Sequence, residues 1–378
     1  DNTPTHLLAR DIKISEIPRK ATILTGVRRA GKSTLLQQHL KANRVALRMH
    51  FFDERLRGLK VESLGALLDA YEQLHPEWNQ QKELTLALDE VELIEGWEFF
   101  VERQLRIPGR KVFLTGSSSR LLTREIGTAM RGRSVSIEVF PFSFAEILKW
   151  EGVALGATRS DRLKRERRFQ KYLLEGGFPE VVPLDAVDQR RVLQEYYGVL
   201  LLRDLIERNV GSSVPLVRAF LRLLMQQFSA PFTLNKTNEK LRAQGLPSDK
   251  TKVADMLRWV EDCYLLFPVP VLAESVQRQA TNPKKLYCID NGLLSATIAG
   301  VSKNTGRLLE NAVFLQLRRE GKTIHYFRDK QGREVDFVAD GQELIQVCES
   351  LTDEETRKRE LRAIESAMAE LGVRTATL

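Results

Sequence analysis

Through residue 150 the chain alternates between short, nearly continuous apolar runs and longer stretches with helical spacing. ATILT (21–25), VALRMHFF (45–52), ELTLALDE (83–90) and KVFLTGSSS (111–119) have the length of strands, and unbroken hydrophobicity of this kind marks strands covered on both faces. STLLQQHLKA (33–42) and the segment up to Leu74 read as helices between them. This alternation predicts an α/β fold with a parallel sheet. From about Glu151 the composition changes to a charged connector, GATRSDRLKRERRFQK (156–171), whose basic run reads as a solvated helix face in preference to a DNA contact. Gly176, Gly177, Phe178 and Pro179 predict a fixed bend between helices. VLQEYYGVLLLRDLIERNV (192–210) then reads as one long amphipathic helix, with Arg203 and Asp204 as a surface pair or, alternatively, an interdomain latch.

Farther on, VPLVRAFLRLLMQQF (214–228), TLNKTNEKLRAQ (233–244) and SDKTKVADMLRWVEDC (248–263) predict three helices. YLLFPVPVL (264–272) and KKLYCID (284–290) supply the two strands of a wing, and helix, turn, helix and hairpin in that order suit a winged helix. Lys250 and Lys252, near the start of the third helix, are placed to touch DNA phosphates, although many winged helices serve only in protein docking. A helix (306–321), three strands (323–330, 332–340, 343–350) and a returning helix (353–372) complete the chain. The sequence stops at RTATL, where a strand begins, which predicts that more of this last domain lies beyond. These shifts divide the chain into segments 1–150, 151–212, 213–300 and 301–378.

The most informative stretch is GVRRAGKST, from Gly26 to Thr34, set between a predicted strand and a predicted helix. Glycines at Gly26 and Gly31 let the backbone wrap an anion, and the amides of Val27, Arg28, Arg29 and Ala30 turn inward as donors. Lys32 supplies a mobile charge for β and γ phosphates, Ser33 a hydroxyl for Mg²⁺, and the following helix its positive end. The third strand closes on Asp89 and Glu90, the form of a second nucleotide motif. Asp89 would hold Mg²⁺ through its water shell, and Glu90 would orient the water that attacks the γ-phosphoryl group. Thr115, Ser117 and Ser118 end the next strand, where hydroxyls either reach the γ-phosphate and water or cap a helix. Asp53 at the end of the second strand either faces the ligand or caps the next helix. Arg131 and Arg133 precede a strand. From there an arginine reaches a neighbouring subunit's site more easily than its own, which would require a ring or other homo-oligomer.

Length and charge add limits. A chain of 378 residues with 43% hydrophobic content supports two or three domains with buried cores. No apolar run is long enough to span a bilayer and the N-terminus lacks a signal-peptide core, so a cytoplasmic protein without a membrane partner is expected. Cys263, Cys288 and Cys348 stand far apart, without a CxxC pair or clustered histidines, which supports neither disulfides nor zinc. Lysine and arginine number 58 against 50 acids, a net charge of +8 that mildly favours polyanions such as nucleic acid.

Together GVRRAGKST, ALDEVELIEGWE, FLTGSSSRLL, RGRSVSIEVFPFSFAEIL, LLEGGFPEVV and GREVDFVAD resemble prokaryotic AAA+ family ATPases of the AAA_14 type with a C-terminal DUF4143 region. The resemblance implies a P-loop α/β ATPase core with ATP and Mg²⁺, a helical lid, a winged-helix-like region and a domain similar to PD-(D/E)xK nucleases. It further implies association with DNA and assembly into an oligomer such as a hexameric ring. Glu92 stands where the family often has glutamine. In the nuclease-type fold a helix glutamate, a strand aspartate, a further acid and a lysine gather Mg²⁺. Glu310 and Asp336 match the first two positions, but the third and fourth fall on Gln346 and Cys348. An amide carries no charge for a metal and a thiol does not replace an ammonium, so a non-cleaving domain that binds DNA or partners is expected. The expected whole is an ATP-hydrolysing, DNA-associated motor or remodeller. The alternatives are a nucleotide-controlled switch without translocation and an ATP-gated, Mg²⁺-dependent nuclease.

Overall fold

A computed structural model describes residues 8–41, 46–56, 58–76, 84–116, 130, 132–207, 209, 213–273 and 275–378. The chain forms two compact units, 1–140 and 141–378.

The first unit is built on β1 (Ala21–Thr25), β2 (Ala46–His50), β3 (Leu84–Asp89), β4 (Arg110–Thr115) and β5 (Ser134–Glu138). They form one all-parallel sheet in the order β2-β3-β4-β1-β5. Every residue of β1 and of β3 is buried, as continuous apolar strands require when helices cover both sheet faces. On one side Leu64 and Leu68 of α2 (Val61–Leu74) and Trp97, Phe100 and Val101 of α3 (Trp97–Leu105) join Ile23, Leu86, Leu88 and Leu114 in a single core. Trp97 is thus a packing anchor. Because the strands run parallel, their C-terminal ends collect at one edge, and the segments leaving β1, β2, β3 and β4 meet there.

The second unit begins with α4 (Phe144–Trp150), opened by a capping box in which Ser143 and Glu146 satisfy each other's backbone. The basic run lies on α5 (Arg159–Glu175), where Arg162 pairs with Glu166, Arg168 with Glu151 and Lys171 with Glu175. At the bend after α5, Gly177 donates its amide to buried Asp290 at 2.7 Å. A Cβ on Gly176 would stand 2.1 Å from the same carboxylate. The predicted helix over 192–210 differs in detail. It starts at Ala186, is α-helical as α6 (Ala186–Val199), and passes into a π-helical segment, Leu200–Glu207. Asp204 is buried there and Arg203 exposed, so the two are not a surface pair; neighbours on a helix point about 100° apart.

Helices α7 (Val214–Gln226), α8 (Leu234–Ala243) and α9 (Lys250–Asp262) come next, and α7 buries Leu216, Val217, Phe220, Leu221, Leu224 and Met225 along one stripe. Strands β6 (Pro231–Phe232), β7 (Leu266–Val269) and β8 (Lys284–Cys288) pair antiparallel in the order β6-β8-β7. Helices α10 (Val276–Thr281) and α11 (Asn291–Thr297) flank β8. The last stretch is α12 (Thr305–Arg319), β9 (Ile324–Arg328), β10 (Glu334–Ala339), β11 (Glu343–Ile345), α13 (Glu354–Leu371) and β12 (Thr375–Thr377). Its strands form a mixed sheet in the order β12-β11-β10-β9, with only the β11–β12 pair parallel. Among the described residues no helix is long and apolar enough to cross a membrane. None of the three cysteines is in a disulfide.

Candidate functional site

The turn after β1 takes the form its glycines allow. Gly26 has φ 133° and Gly31, which precedes α1 (Lys32–Leu40), has φ 92°, both outside the range comfortable for other residues. At Gly26 there is also no room: a Cβ would stand 2.1 Å from the carbonyl oxygen of Val139. Val27 and Ala30 are buried, Arg28 and Thr34 half-buried, and Arg29 exposed with φ 67°. Lys32 folds back into the loop, donating to the carbonyls of Gly26 at 2.9 Å and Val27 at 3.0 Å. Burial lowers the pKa of this ammonium. Two carbonyl dipoles solvate a cation less well than water or a phosphate does, which makes the loop a receptor for negative charge.

The third strand delivers Asp89 to the same place. Its carboxylate has no exposed surface. Ser33 Oγ donates to Oδ1 at 2.9 Å, and Thr115 Oγ1 donates to the same oxygen. On the other side Arg48 Nη2 lies 2.8 Å from Oδ2, with His50 Nδ1 at 3.5 Å. Burial alone would raise this acid's pKa, but the bonds from Thr115, Arg48 and Ser33 outweigh it and hold the carboxyl below its ordinary range. Glu90 comes next with φ 57°, a left-handed conformation that costs a non-glycine residue about 1 kcal/mol. Its amide donates to Thr115 Oγ1 at 3.1 Å, so one threonine hydroxyl ties both acids of the pair to β4.

The structure therefore brings together Gly26 to Thr34, Asp89, Glu90 and Thr115. Ser117 and Arg131, and the helix expected to start at Ser117, lie outside the described residues. Arg133 stands before the start of β5, whereas the loop comes after the end of β1, and these two strands run parallel from Ala21↔Ser134 to Thr25↔Glu138. Its guanidinium pairs with Glu102 at 3.0 Å. Asp53 turns to its own neighbour, accepting from the Arg55 amide and side chain. Two participants carry no motif in the sequence. Arg10 donates to Ala30 O at 2.9 Å and to Phe140 O at 2.8 Å, bracing the loop against the end of the sheet. Arg48 is the other; it reads as one polar position in an apolar strand, and only the parallel register that sets Arg48 beside Ala87 and His50 beside Asp89 shows its partner.

In the second unit Lys250 and Lys252 open α9 on exposed positions, Lys252 lying 3.8 Å from the helix-capping Asp249. Lys250, Arg258 and Lys284 are among the residues that line a cavity of about 480 Å³ between α8, α9 and the three-stranded sheet. Glu310, Asp336 and Gln346 come together at the face of α12 and β10, but Cys348 does not join them: its thiol donates to Ser350 O at 3.1 Å.

A family model described as an AAA domain matches residues 18–148. Domains of unknown function match residues 166–305 (DUF8612) and 305–378 (DUF4143). An uncharacterized protein of Methanocaldococcus jannaschii is 33% identical over 380 residues, covering 97% of this chain and 82% of the relative. One from Haemophilus influenzae is 27% identical over 327 residues, covering 84% of this chain and 78% of its own length. Among solved structures, the Walker-type ATPase of Pyrococcus abyssi is similar at 16% identity with a TM-score of 0.49, covering 73% of this chain and 90% of that one. With a phosphate-type loop, a buried acid beside it and a parallel sheet beneath both, the chain belongs to the AAA+ family of ATPases, in the group that carries a C-terminal DUF4143 region.

Proposed function

We propose that the loop from Gly26 to Thr34 binds ATP with Mg²⁺, that Asp89 and Glu90 serve its hydrolysis, and that the cycle acts on DNA through the second unit. Asp89 carries this reading: a fully buried carboxylate at the tip of β3, bonded to the hydroxyl next to the loop lysine. A buried acid is costly unless something there uses its charge. On this reading the loop amides and the start of α1 receive the phosphates, and Lys32 exchanges its two carbonyls for the β and γ oxygens, a charge-assisted contact in place of neutral ones. Ser33 and Asp89 fit Mg²⁺, Asp89 through water; when bound the ion neutralises phosphate charge. Glu90 orients the attacking water, Thr115 holds the acid pair in place, and hydroxyls at this strand end, Ser117 included, serve the γ-phosphate or the water. Positioning of this kind supplies most of the acceleration in phosphoryl transfer.

The remaining assignments rest on placement. Lys250 and Lys252 are exposed at the head of a helix that lies between a turn and the antiparallel β7–β8 pair, which supports phosphate contact by a winged-helix-like region over 213–300. Arg133 stands at the far end of β5 from its own loop, so service as an arginine finger requires a second copy of the chain. The segment 301–378 acts as a non-cleaving binding domain. ATP turnover measured with single-stranded, duplex and four-way-junction DNA at two salt concentrations tests the whole. Stimulation that fades as salt rises is expected. A slow rate indifferent to every DNA, from a monomer, would replace the motor with a nucleotide-controlled switch.

A further inference from the structure

The nuclease-type likeness implies a metal bound by Glu310, Asp336, a third acid and a lysine, and the residues present do not fit one. Gln346 has both polar atoms committed: its Oε1 accepts the Asp336 amide at 3.0 Å and its Nε2 donates to Glu360 at 2.6 Å. Asp336 Oδ2 accepts the Val347 amide at 2.9 Å. As the chain is folded, with a lysine ammonium seated among its acids, no group of three His, Cys, Asp or Glu side chains among the described residues is arranged to hold a metal.

What lies between the carboxylates is Lys285, which β8 brings from the other sheet of this unit. Its Nζ stands 2.9 Å from Glu310 Oε1, 2.8 Å from Asp336 Oδ1 and 2.8 Å from Glu334 Oε1. An ammonium has three protons, and three carboxylate oxygens are there to take them. The side chain is only 3% exposed, with the ring of Tyr326 6.0 Å away and the hydroxyl of buried Tyr287 donating to Glu310 at 2.6 Å. Three acids facing one point require a positive charge at that point.

The strand that carries the lysine is itself fastened. Asn311, next to Glu310 on α12, clamps Cys288 by accepting its amide at 2.7 Å and donating to its carbonyl at 2.9 Å. Tyr287 stacks on Phe314 with centroids 4.4 Å apart and planes 11° from parallel. Lys285 and Tyr287 alternate onto one face of β8, so the clamp at Cys288 and the stack at Tyr287 hold the ammonium in register.

We propose that Glu310, Glu334 and Asp336 form a cation site whose resident cation is the chain's own Lys285, which excludes divalent metal and ties β8 to the C-terminal sheet. This deepens the non-cleaving assignment, yet its test uses neither ATP nor DNA, so the two can fail separately. The full chain, free of nucleotide, is melted and titrated calorimetrically with Mn²⁺ against an EDTA control. In the wild type, Mn²⁺ effects should be the same with and without Glu310→Gln. Lys285→Ala should melt lower in EDTA and regain stability with Mn²⁺, binding it about tenfold or more tightly than the wild type. Adding Glu310→Gln should abolish that gain. Mn²⁺ binding by the wild type that depends on Glu310, or a Lys285→Ala protein indifferent to Mn²⁺, overturns the proposal. Should Lys285→Ala fail to fold, Lys285→Met combined with Glu310→Gln, Glu334→Gln and Asp336→Asn removes the facing charges together. That protein should fold and outlast Lys285→Met alone in urea, and failure to do so would equally overturn the proposal.

Discussion

Each unit of the chain buries an acid beside a cation, and the two cations differ in whether they can leave. Asp89 is fully buried, but the Arg48 side chain that pairs with it is 34% exposed, and its other bonds come from the hydroxyls of Ser33 and Thr115. A surface guanidinium can rotate into water at little cost, and hydroxyls can turn their lone pairs to an incoming hydrated ion. Around Glu310 and Asp336 the cation is Lys285, 3% exposed and held within a clamped strand. Taking it away strands uncompensated charge in the interior, which costs several kcal/mol. The two acids are also shifted in opposite directions: burial pushes the pKa of Glu310 up, while donated hydrogen bonds hold that of Asp89 down. Motif residues alone therefore do not tell an exchangeable cation site from a closed one; the tether of the counter-charge does.

The largest break in this contrast should come from Glu90→Gln, which keeps the shape of the proposed ATP site and removes its proposed base. ATP binding is expected to persist while turnover falls about 10²- to 10⁴-fold, read from single-turnover phosphate release. Close behind, Lys285→Ala should lower unfolding free energy by about 3–5 kcal/mol in urea, whereas Arg48→Ala, its counterpart in the other unit, should cost about 1 kcal/mol or less. Equal losses for the two would erase the distinction between tethered and exchangeable cations. Thr115→Val deletes the hydroxyl that serves both acids, and turnover should drop roughly tenfold or more with ATP affinity little changed. The smallest effect sharpens the comparison most finely. Removing the Arg48 charge beside Asp89 should lower the Mg²⁺ concentration for half-maximal turnover about twofold to fivefold at saturating ATP, and an increase instead would mean that Arg48 supports the ion.

How much of this is legible in the sequence depends on the distance between partners. The loop from Gly26 to Thr34 and the pair Asp89–Glu90 are readable because each is a local pattern: a turn that only glycines permit, and acids at the end of an unbroken apolar strand. The parallel sheet comes from the same alternation. Arg48 is not readable, since its carboxylate is 41 residues away and only strand register joins them. Lys285, 25 residues from Glu310 and 51 from Asp336, reads in the sequence only as one residue of a wing strand. A faint signal exists: in KKLYC the lysine at 285 shares a strand face with Tyr287, so a face that carries a buried aromatic also carries a charge. The family resemblance puts Cys348 at the fourth position of the cluster, whereas the chain beyond β11 turns its thiol to Ser350.

The most direct measurement sets ATP binding by calorimetry beside phosphate release for the wild type and Glu90→Gln in the presence of Mg²⁺. Both proteins should take up ATP and only the wild type should release phosphate at an appreciable rate. Absence of binding by either, or equal release by both, would contradict the assignment of the loop and its two acids as the working site.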